Sequence, residues 1–179
     1  MLNQISPLPA SDQLPEDAVD LLIGCHQRIR HFTAVAVKLA HAHGASGDEI
    51  QKAAARVRRY YSVSLPLHEA DEEESLRPRL DAVADEQVRH ALLAMGDQHQ
   101  AIDELVERLL PPLMLVERNP AALPQAGGEL CSITRALDEV FHAHLLLEEE
   151  VVFPAIRSVL PAESRVAMLA EMKQRRQHG

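Results

Sequence analysis

A chain of 179 residues is long enough to bury a core and fits one domain. Apolar residues make up 46% of it but aromatics only 3%, and Ala, Leu, Glu, Arg and Val dominate, which is the vocabulary of packed helices rather than of sheets. A net charge of −9 argues against a general nucleic-acid role, Cys25 and Cys131 are too few for a disulfide framework, and no apolar run approaches the roughly 18 residues of a membrane span.

Residues 1–14, with Pro7 and Pro9, read as an extended lead-in without the basic-then-apolar pattern of a secretory signal. The expected location is therefore cytoplasmic. A first helix is predicted from Pro15 or Glu16 to His43, stopped by Gly44 and Gly47, with Val19, Leu22, Ile23, Ile29, Ala36 and Leu39 on one face. A second opens at Ser46 with Glu49 three residues on, a capping box, and should end near Leu76 before Pro78. Pro66 inside it should kink the helix and free the carbonyl of Ser62.

A third helix is expected from Ala84 to Val116, disturbed at Pro111-Pro112. Asn119 to Gly128, with two prolines and two glycines, reads as the longest loop. A fourth helix then covers Gly128 to Val159, with a kink at Pro154, and Pro161 to Gln177 forms a short terminal helix. Its basic end, Lys173 to Arg176, reads as solvated. The expected architecture is all-α: an antiparallel up-down four-helix bundle over 15–160, with a short C-terminal extra helix in 161–179.

The bundle reads as two helix-hairpin repeats, about 15–80 and 84–160. His68-Glu-Ala-Asp-Glu72 in the second helix returns as His144-Leu-Leu-Leu-Glu148 in the fourth. Each copy has Glu at the next two positions and a proline ten residues after its His: Glu73, Glu74 and Pro78 in one, Glu149, Glu150 and Pro154 in the other. Four residues turn a helix by about 40° net of a full turn, so His and Glu of each pair share one face. His26-Gln27 and His99-Gln100 stand at similar distances before the two pairs. Imidazole and carboxylate on inward faces of four helices are natural ligands for iron, zinc or manganese. The remaining glutamates of each triplet are expected outside the centre, or hydrogen-bonded to its ligands.

Rival assignments are weaker. His142 points about 200° away from His144 and has Leu146, not a carboxylate, four residues on. His31, His41, His43, His90 and His178 suit surface or ordinary hydrogen-bonding roles. His68-Glu-Ala-Asp-Glu72 lacks the second His of the zincin motif, and ferritin-like di-iron sites need two Glu-x-x-His motifs where this chain has one, Glu139 to His142. Cys25, beside His26, is expected to be a small buried apolar group, and Tyr60 and Tyr61 to belong to the core.

On His26, the His68–Glu72 pair, His99, the His144–Glu148 pair and the Glu-Glu and Pro that follow each pair, the chain resembles the hemerythrin-like (HHE cation-binding) family of non-haem di-iron bundles. The resemblance implies that His26, His68, His99 and His144 are terminal ligands and that Glu72 and Glu148 bridge two oxo- or hydroxo-bridged irons. Zinc or manganese could replace iron. The chain departs from many relatives in having Glu69 where they place a second His, as some iron-sensing members do, and Asp103 four residues after His99 where the oxygen carriers have another His.

Two octahedral ions offer about twelve positions, of which these groups fill all but about two; Glu69 as a ligand would leave about one. Glu69 as an extra negative charge should favour the oxidised state and make reversible oxygen carriage harder. The implied ligand is dioxygen, NO or peroxide. The implied roles are binding or sensing, with a protein partner if a sensor, with iron storage or delivery besides. An oxidant-consuming enzyme is the alternative, and a metal-free structural bundle ranks third.

Overall fold

The computed structural model describes residues 17–83 and 85–178. The expected lead-in 1–14 lies outside them. Five helices follow in order: α1 (Ala18–Ala40), α2 (47–81), α3 (Glu86–Arg118), α4 (123–159) and α5 (Ala162–His178). α1 packs on α2 and α4, and α3 packs on the same two helices from the other side, which closes an antiparallel four-helix bundle. α5 lies across α1 and the middle of α2, burying Met168, Leu169 and Met172. No helix among the described residues is long and apolar enough to cross a membrane.

Helix starts follow their caps. The Asp17 carboxylate accepts from the Val19 N–H and caps α1, which begins at Ala18; the expected starts Pro15 and Glu16 lie outside the described residues. Ser46 and Glu49 form the expected capping box, and the Asp85 side chain accepts from the Val88 N–H.

The prolines act differently from expectation. α2 does not end near Leu76; it runs through Pro78 to Asp81. Three π turns interrupt the long helices, at Tyr60–Ser64, Asp71–Leu76 and Glu148–Val152, and each lies just before a proline, Pro66, Pro78 or Pro154. In every case the residue preceding the proline reaches five residues back: Leu65 N–H to Tyr60 O, Arg77 N–H to Glu72 O, and Phe153 N–H to Glu148 O. A proline ring clashes with the carbonyl four residues before it, and widening that turn relieves the clash without ending the helix.

Pro111 and Pro112 leave α3 unbroken, because Leu109, Leu113 and Val116 on its inner face are fully buried. The predicted 119–128 loop is also replaced. A single 3₁₀ turn, Pro120–Ala122, leads directly into α4, which already buries Leu123 and Ala126. Gly127 lies against α1, where an added Cβ would stand 3.2 Å from the Ala40 carbonyl oxygen.

The core is divided. One apolar cluster holds Ile29, Leu65, Ile102 and Leu145; a second holds Leu22, Leu76, Met95 and Val152. On α1, α2 and α3 a histidine falls between the residues of the two clusters, His26, His68 and His99, and on α4 Glu148 does, one turn after the buried His144. A polar layer therefore crosses the middle of the bundle.

Candidate metal centre

Within that layer the side chains form two groups that share Glu72 and Glu148. His26 and His68 complete one, His99 and His144 the other, and the ligand-type atoms of each group lie within 4.8 Å of one another. The imidazoles are paired accordingly, with ring centroids 5.4 Å apart for His26–His68 and 4.8 Å for His99–His144. Each carboxylate offers one oxygen to each pair. Glu72 places Oε1 3.0 Å from His68 Nε2 and Oε2 3.1 Å from His99 Nε2; Glu148 places Oε2 2.9 Å from His26 Nε2 and Oε1 3.5 Å from His144 Nε2.

All six residues are at most 7% exposed, and Glu72 and Glu148 are wholly buried. Burial, followed by the neighbouring imidazoles, holds His68 and His144 well below the ordinary histidine range, so both are neutral. Burial raises the Glu72 carboxyl well above its usual range and, together with Glu72, pushes Glu148 up to about 8. Charging these acids without a cation nearby is unfavourable.

The donor set fits a pair of first-row transition metals. His26 Nε2, His68 Nε2, Glu72 Oε1 and both carboxylate oxygens of Glu148 are buried without a hydrogen-bond partner, although several lie within 3.0 Å of one another. Atoms at such distances without hydrogen-bond geometry present their lone pairs to a common centre. Orphaned buried acceptors are costly in a bundle with no such use for them. Neutral imidazoles mixed with carboxylates suit iron, zinc or manganese alike.

Outer groups hold the imidazoles in place. His26 Nδ1 lies 2.8 Å from Glu149 Oε1, and Arg30 grips that carboxylate at 2.9 and 3.0 Å. His99 Nδ1 lies 3.0 Å from Glu73 Oε1, itself bound by Arg77, and His144 Nδ1 lies 3.2 Å from Gln98 Oε1. Glu73 and Glu149 are thus the hydrogen-bonding partners expected of each triplet, while Glu150 is exposed and the largely exposed Glu74 bonds to Arg175. Sequence reasoning missed Gln98, one residue before His99, and the Arg30 clamp four residues after His26.

Glu69 belongs to neither convergent group. It lines a narrow cavity of about 10 Å³ together with Glu72, with His68, His99 and His144 from both imidazole pairs, and with the apolar walls Leu65, Ile102 and Phe141. Burial and the nearby Asp103 raise its carboxyl. His142 is exposed on the outside of α4, and Tyr60 and Tyr61 are core residues, with Tyr61 Oη 3.0 Å from Thr33 Oγ1.

One expectation is overturned. The basic end of α5 is not a solvated tail: Arg175 and Arg176 reach the wholly buried Asp71 at 2.8 and 2.6 Å, beside Glu72. Cys25 is buried as expected, but its sulfur also accepts from Arg28 and Arg176 at 3.2 and 3.4 Å.

The family profile described as Hemerythrin HHE cation binding domain matches residues 17–156 of the chain. No curated protein and no solved structure matches it significantly.

Proposed function

From a chain that belongs to the hemerythrin HHE cation-binding family, we propose a protein that holds two irons and uses them to bind or sense dioxygen or a related small oxidant such as NO or peroxide. His26 and His68 would hold one ion, His99 and His144 the other, and Glu72 and Glu148 would bridge them. One observation carries this reading: each buried carboxylate turns one oxygen to each pair of imidazoles. Two ferrous ions there would supply electrons and open positions to a small ligand.

The chain's own contribution is shape and charge. A cavity of about 10 Å³ has room for a molecule of about the size of water and rejects larger substrates. Its Leu65, Ile102 and Phe141 walls exclude bulk solvent. Glu69 holds its proton more tightly than a free glutamate and presents a carboxyl in the same wall. That placement favours the second reading, an oxidant-consuming enzyme of peroxidase-like or iron-oxidising type, because such turnover consumes protons at the ligand. Iron storage or delivery would use the same centre without the cavity.

The test is metal content per chain, by elemental mass spectrometry on protein expressed with ample iron. Two irons are expected; one zinc, or no metal, overturns the proposal. Catalytic peroxide consumption above that of free iron, abolished by His144→Ala, would select the enzyme over the carrier or sensor.

A further inference from the structure

An imidazole that turns one nitrogen to a metal centre presents its other N–H to an acceptor. His26, His99 and His144 find theirs in Glu149, Glu73 and Gln98. His68 does not. Its Nε2 faces Glu72 Oε1 at 3.0 Å, yet Nδ1 has no partner among the described residues, although the side chain is only 4% exposed.

The His68 ring forms part of the wall of a second cavity, of about 250 Å³, on the α1–α2–α5 side. Arg28, Arg176, Cys25, Tyr60 and Ser64 also line it. The two guanidinium groups come from opposite ends of the chain and meet at the Cys25 sulfur. Arg176 is matched by Asp71 at 2.6 Å and also donates to the Met172 carbonyl. Arg28 pairs with no carboxylate among the described residues. The cavity is thus lined by an uncompensated positive charge, two hydroxyl-bearing residues and the His68 ring, whose Nδ1 is unpaired. Leu67 completes the lining, whose net charge repels cations. With about 30 Å³ for each water of liquid, the space is ample for one small polyatomic anion.

We propose that this cavity binds a small inorganic oxyanion, of the nitrate or phosphate class, held by the guanidinium groups of Arg28 and Arg176 and accepting the N–H of His68. An anion at that position completes the set of acceptors behind the four imidazoles and makes His68 a more basic donor. Anion occupancy then tunes the centre from outside it. The inference rests on the cavity and stands whichever metal the centre holds.

Isothermal calorimetry on the full chain as isolated, with sodium nitrate and with sodium phosphate in a zwitterionic buffer at fixed ionic strength, tests it. One saturable site is expected for at least one of the two. Loss of a charge-assisted hydrogen bond in Arg28→Gln should weaken it by about tenfold or more, while Arg118→Gln, an exposed arginine elsewhere, binds as the parent does. No saturable heat with either anion, or an unchanged affinity in Arg28→Gln, overturns the site. The imidazole N–H proton of His68 in the zinc-loaded chain gives a second readout. It should move as the anion saturates; a fixed resonance with binding retained would remove His68 from the site and overturn the proposal as stated.

Discussion

Metal uptake should release carboxyl protons and strengthen steeply as pH rises from about 6 to about 8. Glu148 is wholly buried and its carboxyl is pushed up to about 8 by burial and by Glu72; burial moves Glu72 in the same direction. Both must be charged to hold a cation. At about pH 6, removing the Glu148 proton alone opposes binding by about 2.7 kcal/mol, about 100-fold in affinity, at 1.36 kcal/mol per pH unit. His68 and His144 add nothing to this, because burial has already made them neutral. The protons therefore leave from the carboxyls rather than from His68 or His144. Calorimetric titration with zinc at about pH 6, 7 and 8, each in two buffers of different ionisation enthalpy, measures affinity and proton release together. At least about one proton released near pH 7 and at least roughly tenfold tighter binding per unit are expected. An affinity flat across that range, with no dependence on buffer, would mean that the carboxylates are charged before the metal arrives. The argument from burial would then be wrong.

Three further outcomes follow from the same geometry. In the metal-free chain the raised Glu148 contributes stability that is complete below its unfolded value and lost as pH rises through about 8, whereas His68 and His144 contribute stability lost as pH falls below 6.5. Between about pH 6.5 and 8 the raised Glu148 carboxyl gives up its proton, so thermal unfolding should show a loss of about 2 kcal/mol, and a rising Tm there would contradict it. Glu149→Ala should weaken metal binding by about 10- to 100-fold in chelator competition and cost the metal-free chain about 1–3 kcal/mol, since the buried His26 Nδ1 loses its partner. Equal affinities would show that His26 needs no outer acceptor. Asp71→Ala should cost about 1–3 kcal/mol and speed amide exchange throughout α5. Unchanged protection would mean that Met168, Leu169 and Met172 hold that helix unaided.

The bundle and its polar layer are legible in the sequence because both depend on spacing within a helix. His-x-x-x-Glu is one helical turn, so the faces of His68–Glu72 and His144–Glu148 are fixed before any tertiary contact is known. Contacts between distant segments were not legible. Arg175 and Arg176 look like an ordinary basic helix end, and only the return of α5 across α2 brings them to Asp71. Gly127 and Gly128 suggest a loop by propensity, worth about 1 kcal/mol each. Burial of Leu123, Ala126 and Leu130 against the other helices outweighs that preference. Pro66, Pro78 and Pro154 were visible but pointed to kinks or ends, because a helix that widens by one hydrogen-bond register leaves the same sequence signature as one that breaks.

Those widened turns also govern which changes in length the chain can absorb. Each accommodates one residue more than an α turn holds. Deleting Val63 would let Tyr60–Ser64 tighten to an α turn in which the Leu65 N–H still meets the Tyr60 carbonyl, so His68 and Glu72 would keep their setting. Deleting Ala94 from α3, which has no widened turn, would instead rotate His99 by about 100° about the helix axis relative to the residues before it, with no side chain of the polar layer altered. A deletion in the exposed Gly44 segment between α1 and α2 carries no such penalty, since a connection can be redrawn while the helices keep their angular setting. Loops and widened turns in such a chain can change length; its regular helical stretches cannot.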